Sequence, residues 1–304
     1  MRNAADISFS SVALLVTALL AARAASGANP GEVEAVEATQ TPRIAVAVIK
    51  ATQNPLTLEL GSIAFQNEFG FGLGQDDKFG YGLFIKPSVP IILSKRWSLI
   101  NRMVLPVTDL PSLVRGGSRT FGLGDLQHTT LLSPTTTSRR MMWGLGPSIG
   151  FPTATDDLLG TGKWLLGPTA IFIFTPRRTV VGVVVKNLWS VGGESERRDV
   201  SSFVLQPLLN INLDQGWFIT SKPIITANWK ASSSERWLVP VGGGIGKVFR
   251  IGRFGLSLET EAFGYPERPA GGPTWSVGLG VKVLFQRGQI LERIRELGSE
   301  TPSS

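Results

Sequence analysis

The sequence predicts an all-β chain: a transmembrane antiparallel β-barrel of about twelve strands, preceded by a short N-terminal helical or irregular segment. Three observations predict it. From Leu56 to Phe285, apolar residues alternate with polar or small ones at a period of two. The connectors between these runs are by turns long and short. Apart from Val12–Leu20, no run is apolar and long enough to be weighed as a membrane-crossing helix.

The start of the chain reads as an export signal. Arg2 supplies the positive charge, VALLVTALL (12–20) the apolar stretch and Ala22-Arg23-Ala24 a small-x-small site, so cleavage is expected between Ala24 and Ala28 and residues 1–26 are assigned as the signal. The apolar stretch is shorter than the ~20 residues a spanning helix needs. Residues 27–55 form an N-terminal periplasmic or plug segment: Asn29 to Gln40 is polar and acidic, and Thr41-Pro42 has the look of a helix start, with a helical or irregular stretch to Thr52. The barrel is assigned to 56–286 and a polar tail to 287–304.

Within 56–286 each run has one apolar side. Phe79, Tyr81, Leu83, Ile85, Val89 and Ile91 oppose Gly80, Gly82, Lys86 and Ser88. Met141, Trp143, Leu145 and Ile149 oppose Gly144, Gly146, Ser148 and Gly150; Trp164, Leu166, Ala170, Phe172 and Phe174 continue the pattern. Phe203, Leu205, Leu209, Ile211 and Leu213 oppose Gln206, Asn210 and Asn212, and Leu256 and Leu258 oppose Ser257, Glu259 and Glu261. The last run carries Trp275, Val277, Leu279, Val281, Val283 and Phe285.

A soluble sandwich also alternates, so the connectors decide. Those after odd runs are long and polar (72–78, 108–119, 154–163, 192–199, 230–236, 264–273), and those after even runs are tighter (94–96, 134–140, 176–178, 214–216, 250–253). An outer-membrane barrel with an even strand number and both ends in the periplasm has this asymmetry. Trp97, Trp164, Trp189, Trp217, Trp229, Trp237 and Trp275 fall near run ends, where interfacial aromatic belts lie. Pro87, Pro90, Pro106, Pro147, Pro168, Pro207, Pro223 and Pro240 fall inside runs; each removes a ladder donor and is read as a bulge or kink.

The order of motifs also resembles a known family. Asn54-Pro55, SIAFQNEFGFG (62–72), WSLINRMVLPV (97–107), FGLGD (121–125), WGLGPSIGFPTAT (143–155), LGTGKWLLGPTA (159–170), NLWSVGG (187–193), LQPLLNINLDQGW (205–217), PIITANW (223–229) and WLVPVGGGIGKVFRIG (237–252) together are similar to the outer-membrane transporter family named after the meta-cleavage pathway of phenol degradation. Some of its members carry the misleading name neuromedin U. The resemblance covers residues 50–286 and implies a Gram-negative outer-membrane barrel that transports small, often hydrophobic compounds. It implies no substrate. The chain departs from the family by its tail after Phe285, where a barrel chain often stops.

Chemistry-bearing residues are sparse. With no Cys and one His, His128, only carboxylate metal sites remain, and Asp156-Asp157 lacks calcium-loop spacing. Lack of Cys also removes any disulfide framework and agrees with an oxidising envelope compartment. A lipase built on His128 would need Thr130 or Ser133 as nucleophile and an orienting group that is not evident. GGGIGKV (242–248) and GTGK (160–163) lack the spacing of a phosphate-cradling loop; Gly242, Gly244 and Gly246 read instead as a bare strip facing the lumen. The formal charge of +7 does not indicate nucleic acid, because the arginines cluster in short turns, as at Arg139-Arg140 and Arg177-Arg178. No cofactor is expected.

What remains is the inward face. By parity it carries Glu68, Lys86 and Arg102 in the early strands, Asp125 one register step uncertain, and Lys186, Gln206, Asn210 and Asn212 in the middle. Lys222, Asn228, Glu259, Glu261 and Lys282 complete it. Such groups persist at membrane depth where water or an opposite charge meets them. If they pair, as Glu259 and Glu261 could with Lys222 or Lys282, the barrel is plugged; if a wet gap remains, they set selectivity. The expected function is a channel or porin-like transporter for passive passage of small molecules, hydrophobic or aromatic ones among them. The alternatives are a closed structural barrel and the His128 lipase. Expected partners are outer-membrane lipids, a small-molecule solute and the barrel-assembly machinery.

Overall fold

Aromatic and β-branched side chains at every second position fit a pleated, half-buried surface. The computed structural model describes residues 60–135, 140–251 and 254–286. The signal, the segment 27–55 and the tail 287–304 lie outside the described residues.

The strands are β1 (Leu60–Leu73), β2 (Lys78–Ile92), β3 (Trp97–Leu110), β4 (Thr120–Leu123), β5 (Leu126–Pro134), β6 (Met141–Phe151) and β7 (Lys163–Phe174). They continue with β8 (Thr179–Gly193), β9 (Ser201–Asn212), β10 (Trp217–Ser221), β11 (Ile225–Asn228), β12 (Trp237–Ile251), β13 (Phe254–Glu267) and β14 (Trp275–Gln286). β4 and β5 both pair with β3, and β10 and β11 both lie between β9 and β12. Each of these two couples is one interrupted stave of a closed, 12-strand antiparallel barrel. β1 pairs with both β2 and β14, so Phe65 lies opposite Ile85 on one side and Val281 on the other. Closure leaves no strand edge unpaired, the condition for crossing hydrocarbon with strands.

Connectors 74–77, 111–119, 152–162, 194–200, 229–236 and 268–274 all lie at one end, and 93–96, 175–178 and 213–216 at the other. The strands run further toward the long-loop end than the sequence predicts: β3 reaches Leu110, β8 Gly193 and β13 Glu267. On β3 the backbone pairing continues past Val107 through the outward Asp109, because the ladder ends with its hydrogen bonds and not with the apolar alternation.

The prolines act in two ways. Pairing skips residues at Pro87 between β2 and β3, at Pro147 between β5 and β6 and at Pro168 between β7 and β8, and the register shifts around Pro240. Pro223 sits in the break between β10 and β11. Pro90 stays within continuous pairing, whereas Pro106 and Pro207 are paired on one side and face the β4–β5 and β10–β11 interruptions on the other.

Outward residues are apolar and exposed, and tryptophans form belts at both ends. Trp97, Trp143 and Trp217 mark the short-turn end, where Trp97 and Trp143 meet edge to face at 6.2 Å. Trp164, Trp189, Trp229, Trp237 and Trp275 mark the other, where Phe71 stacks on Trp275 at 4.0 Å. Trp143 joins a belt that the sequence reading did not assign to it.

Candidate functional site

The inward face is built in layers. At the short-turn end Ile100, Leu131, Ile171, Ile173 and Val180 form one buried apolar cluster, with Met142, Val184 and Leu208 packed against it. Phe218 and Val248 form a second cluster nearby. The first cluster draws on the neighbouring staves β3 to β9, and the second on the paired strands β10 and β12.

One step toward the long loops the residues become cationic. Arg102 follows Ile100 by two positions on β3, Lys186 follows Val184 on β8, and Lys282 precedes Leu284 on β14. Lys86 and Lys282 both lie opposite Ala64 on β1, so a single small residue separates them in the wall. Lys86 Nζ donates to Gln66 Oε1 at 2.5 Å, and Lys186 Nζ reaches over β6 and β7 to Gln127 Oε1 at 2.7 Å.

Above Lys282 lies an acidic level. Glu68 and Glu261 both oppose Gly278, and Gln66 and Glu259 both oppose Gly280. These residues line a small cavity with Phe263 and Ser276. Tyr265 Oη lies 3.2 Å from Glu68 Oε1 and 3.0 Å from Ser276 Oγ. The main ion pair crosses from the stave beyond β12: Lys222 Nζ is 2.5 Å from Glu259 Oε1 and 3.5 Å from Glu261 Oε2. The intervening inward face of β12 carries Gly242, Gly244 and Gly246. A Cβ at Gly244 would collide with the Thr260 carbonyl, and one at Gly246 with the Phe218 ring. The Pro223 break frees the carbonyl of Lys222 from the ladder, and Gln206 Nε2 donates to it at 3.3 Å.

The structure thus brings together Glu68, Lys86, Arg102, Lys186, Gln206, Lys222, Glu259, Glu261 and Lys282 on the inner face. It does not bring the other four to that group. Asn210 and Asn212 point inward but lie at the short-turn end beside Val180 and Phe218, 4% and 2% exposed. Among the described residues, Asn210 Oδ1 and both polar atoms of Asn212 have no hydrogen-bond partner. Asn228 is exposed at the end of β11, its Oδ1 accepting from the Lys230 amide at 3.0 Å. Asp125 sits at the β4–β5 break, where it accepts from the Thr161 amide at 2.6 Å and hydroxyl at 2.8 Å and from the Ala154 amide at 3.2 Å. It holds the loop 152–162 instead of facing the other charges.

Tyr265, Gln66 and Gln127 belong to the site but escaped the sequence reading. Gln66 shares the parity of Glu68, and Gln127 that of Asp125, so both could have been found that way; Tyr265 falls in the 264–273 connector of the sequence. His128 pairs with Met103 and Ile149 on the outer face. Thr130, on the same face, donates to Asn101 Oδ1, while Ser133 is on the inner face and donates to the Trp143 carbonyl. Among the described residues no cluster of His, Asp or Glu is arranged to hold a metal ion.

No family model and no curated protein matches the chain. Among solved structures, the fold is similar to an outer membrane channel from Pseudomonas putida F1, at TM-score 0.58 and 16% identity, over 76% of this chain and 98% of that one. It is also similar to the NanC porin, at TM-score 0.50 and 8% identity, over 74% of this chain and 99% of that one. At such identities the likeness establishes the barrel fold.

Proposed function

We propose that the protein is a Gram-negative outer-membrane channel through which small molecules, hydrophobic or aromatic ones among them, pass passively. The observation that carries this reading is the contrast between an apolar outer wall with two tryptophan belts and an inner wall that gathers five cationic and three acidic side chains. A barrel serving only as a membrane anchor has no need of that many charges inside, since each must be solvated or paired. The channel and porin likenesses support the same reading, as does the resemblance to the meta-pathway transporter family. The long loops would face outward, and the assembly machinery and outer-membrane lipids would be the protein's partners. The segment 27–55 would act at the periplasmic mouth as a plug or gate.

One observation favours a closed barrel: the apolar cluster around Ile173 and Leu131, both 0% exposed, fills the short-turn end. Single-channel recording in planar bilayers decides between the two, comparing the full chain with a variant lacking residues up to Thr52. Conductance in either form supports the channel, and a rise on truncation identifies the plug. Silence from folded, inserted protein in both forms selects the closed barrel. A lipase is not part of the proposal, because His128 faces away from Ser133 and the Thr130 hydroxyl on its own face donates to Asn101 Oδ1.

A further inference from the structure

We propose that Arg102, flanked by Lys86 and Lys186, forms an anion-binding station inside the barrel that takes the carboxylate of a small solute. Arg102 lies on the inner face of β3 opposite Ser88 and Thr129, directly above the apolar pair Ile100 and Leu131. Lys86, Lys186 and Lys282 are each near enough for their charge to interact with Arg102. The barrel's carboxylates lie nearer the other cations than Arg102 and Lys186: Glu259 and Glu261 hold Lys222, Glu259 also acts on Lys86 and Lys282, and Glu68 acts on Lys86 and meets the Tyr265 hydroxyl.

The cations are left with weak company. Lys86 and Lys186 each bond a neutral amide oxygen, of Gln66 and of Gln127. Neither forms an ion pair among the described residues, and the guanidinium of Arg102 makes neither a hydrogen bond nor an ion pair there. Arg102 and Lys186 repel one another with no carboxylate beside either among the described residues, so an incoming anion relieves a standing cost. The chemistry narrows the anion further. A guanidinium presents a rigid fork of N–H donors that matches two oxygens on one carbon, and such charge-assisted pairs are about twice as strong as neutral ones. Chloride would gain from charge alone; a carboxylate also fills the fork. The two amide side chains can turn from the ammonium groups to the bound solute without leaving an orphaned donor.

This inference rests on the channel reading only for the route by which the solute arrives, so it is tested by binding. Sodium benzoate is titrated calorimetrically into the full chain, refolded in detergent and verified by heat-shifted gel mobility, with benzyl alcohol as the uncharged probe. Benzoate is expected to bind the native chain and to bind Arg102→Gln and Lys186→Gln about 10-fold more weakly each. Arg102→Lys, which keeps the charge and loses the fork, should recover part of the loss. Equal benzoate affinity in the native chain and Arg102→Gln, or no binding up to about 10 mM, overturns the station, even if the barrel conducts. Binding that depends on Arg102 in a barrel that never conducts supports the station while the channel reading fails.

Discussion

Lys222 Nζ and Glu259 Oε1 lie 2.5 Å apart across a strand whose inner face holds only glycine between them. Neither residue's strand touches the other's, so the pair ties two staves through the interior and not along the wall. A side chain on the inner face of β12 would stand in the way, and the glycines have another neighbour to satisfy: the backbone of β13. Charge placement and backbone approach therefore depend on the same three positions.

Removing Lys222 takes away the cation that Glu259 and Glu261 share. Lys222→Met is expected to destabilise the folded barrel by about 3 kcal/mol, as for other broken interior pairs. The double variant Lys222→Met with Glu259→Gln should regain much of this, because the uncompensated charge is reduced. Urea unfolding of both variants in lipid vesicles measures the difference. Equal loss in single and double variants would assign the effect to packing.

Gly244→Ala places a methyl group against the Thr260 carbonyl, which is backbone and cannot swing aside. Its expected cost is at least about 1–3 kcal/mol, with slower or incomplete assembly. Gly192→Ala, which meets nothing within 4 Å, should assemble normally and serves as the comparison. The yield of heat-modifiable barrel after refolding reports both.

Arg197 fastens the loop 152–162, donating to the carbonyls of Asp157 at 2.6 Å and Gly160 at 2.5 Å, while Asp125 grips the same loop from below. Arg197→Ala should expose this loop to proteinase K, with new cuts between residues 152 and 162 seen by mass spectrometry. Unfolding of the barrel itself should stay unchanged, because the loop adds no stave to the wall.

His128 is the chain's only histidine and lies on the outer face beside Met103 and Ile149. His128→Leu is expected to leave conductance and stability within about 0.5 kcal/mol of the native chain. A fall in ester hydrolysis on making this change would return the lipase to consideration; equal background rates in both proteins would not.

The period of two, together with the alternation of long and short connectors, was sufficient to find the barrel and its strand number. Side chains in a strand point alternately to opposite faces, so Lys86, Arg102, Lys186 and Lys282 were legible as one set before any contact was known. The connectors, being alternately long and short, were legible for the same local reason. The places where a stave is interrupted were less so: Pro223 announced a defect, but nothing in Gly124-Asp125 did, and Asp125 was read as a lumen group when its carboxylate holds a loop.

Closure decided the rest. Parity says that a residue faces inward, not how deep it lies or whom it meets, since both depend on tilt and register summed around the whole wall. Asn210 and Gln206 have the same parity on the same strand, yet one is buried beside Val180 and the other donates to the Lys222 carbonyl. Lys222 and Glu259 are 37 residues apart and on staves that do not pair, so no local pattern joins them. Only the closed barrel, with three glycines between, brings the two charges together.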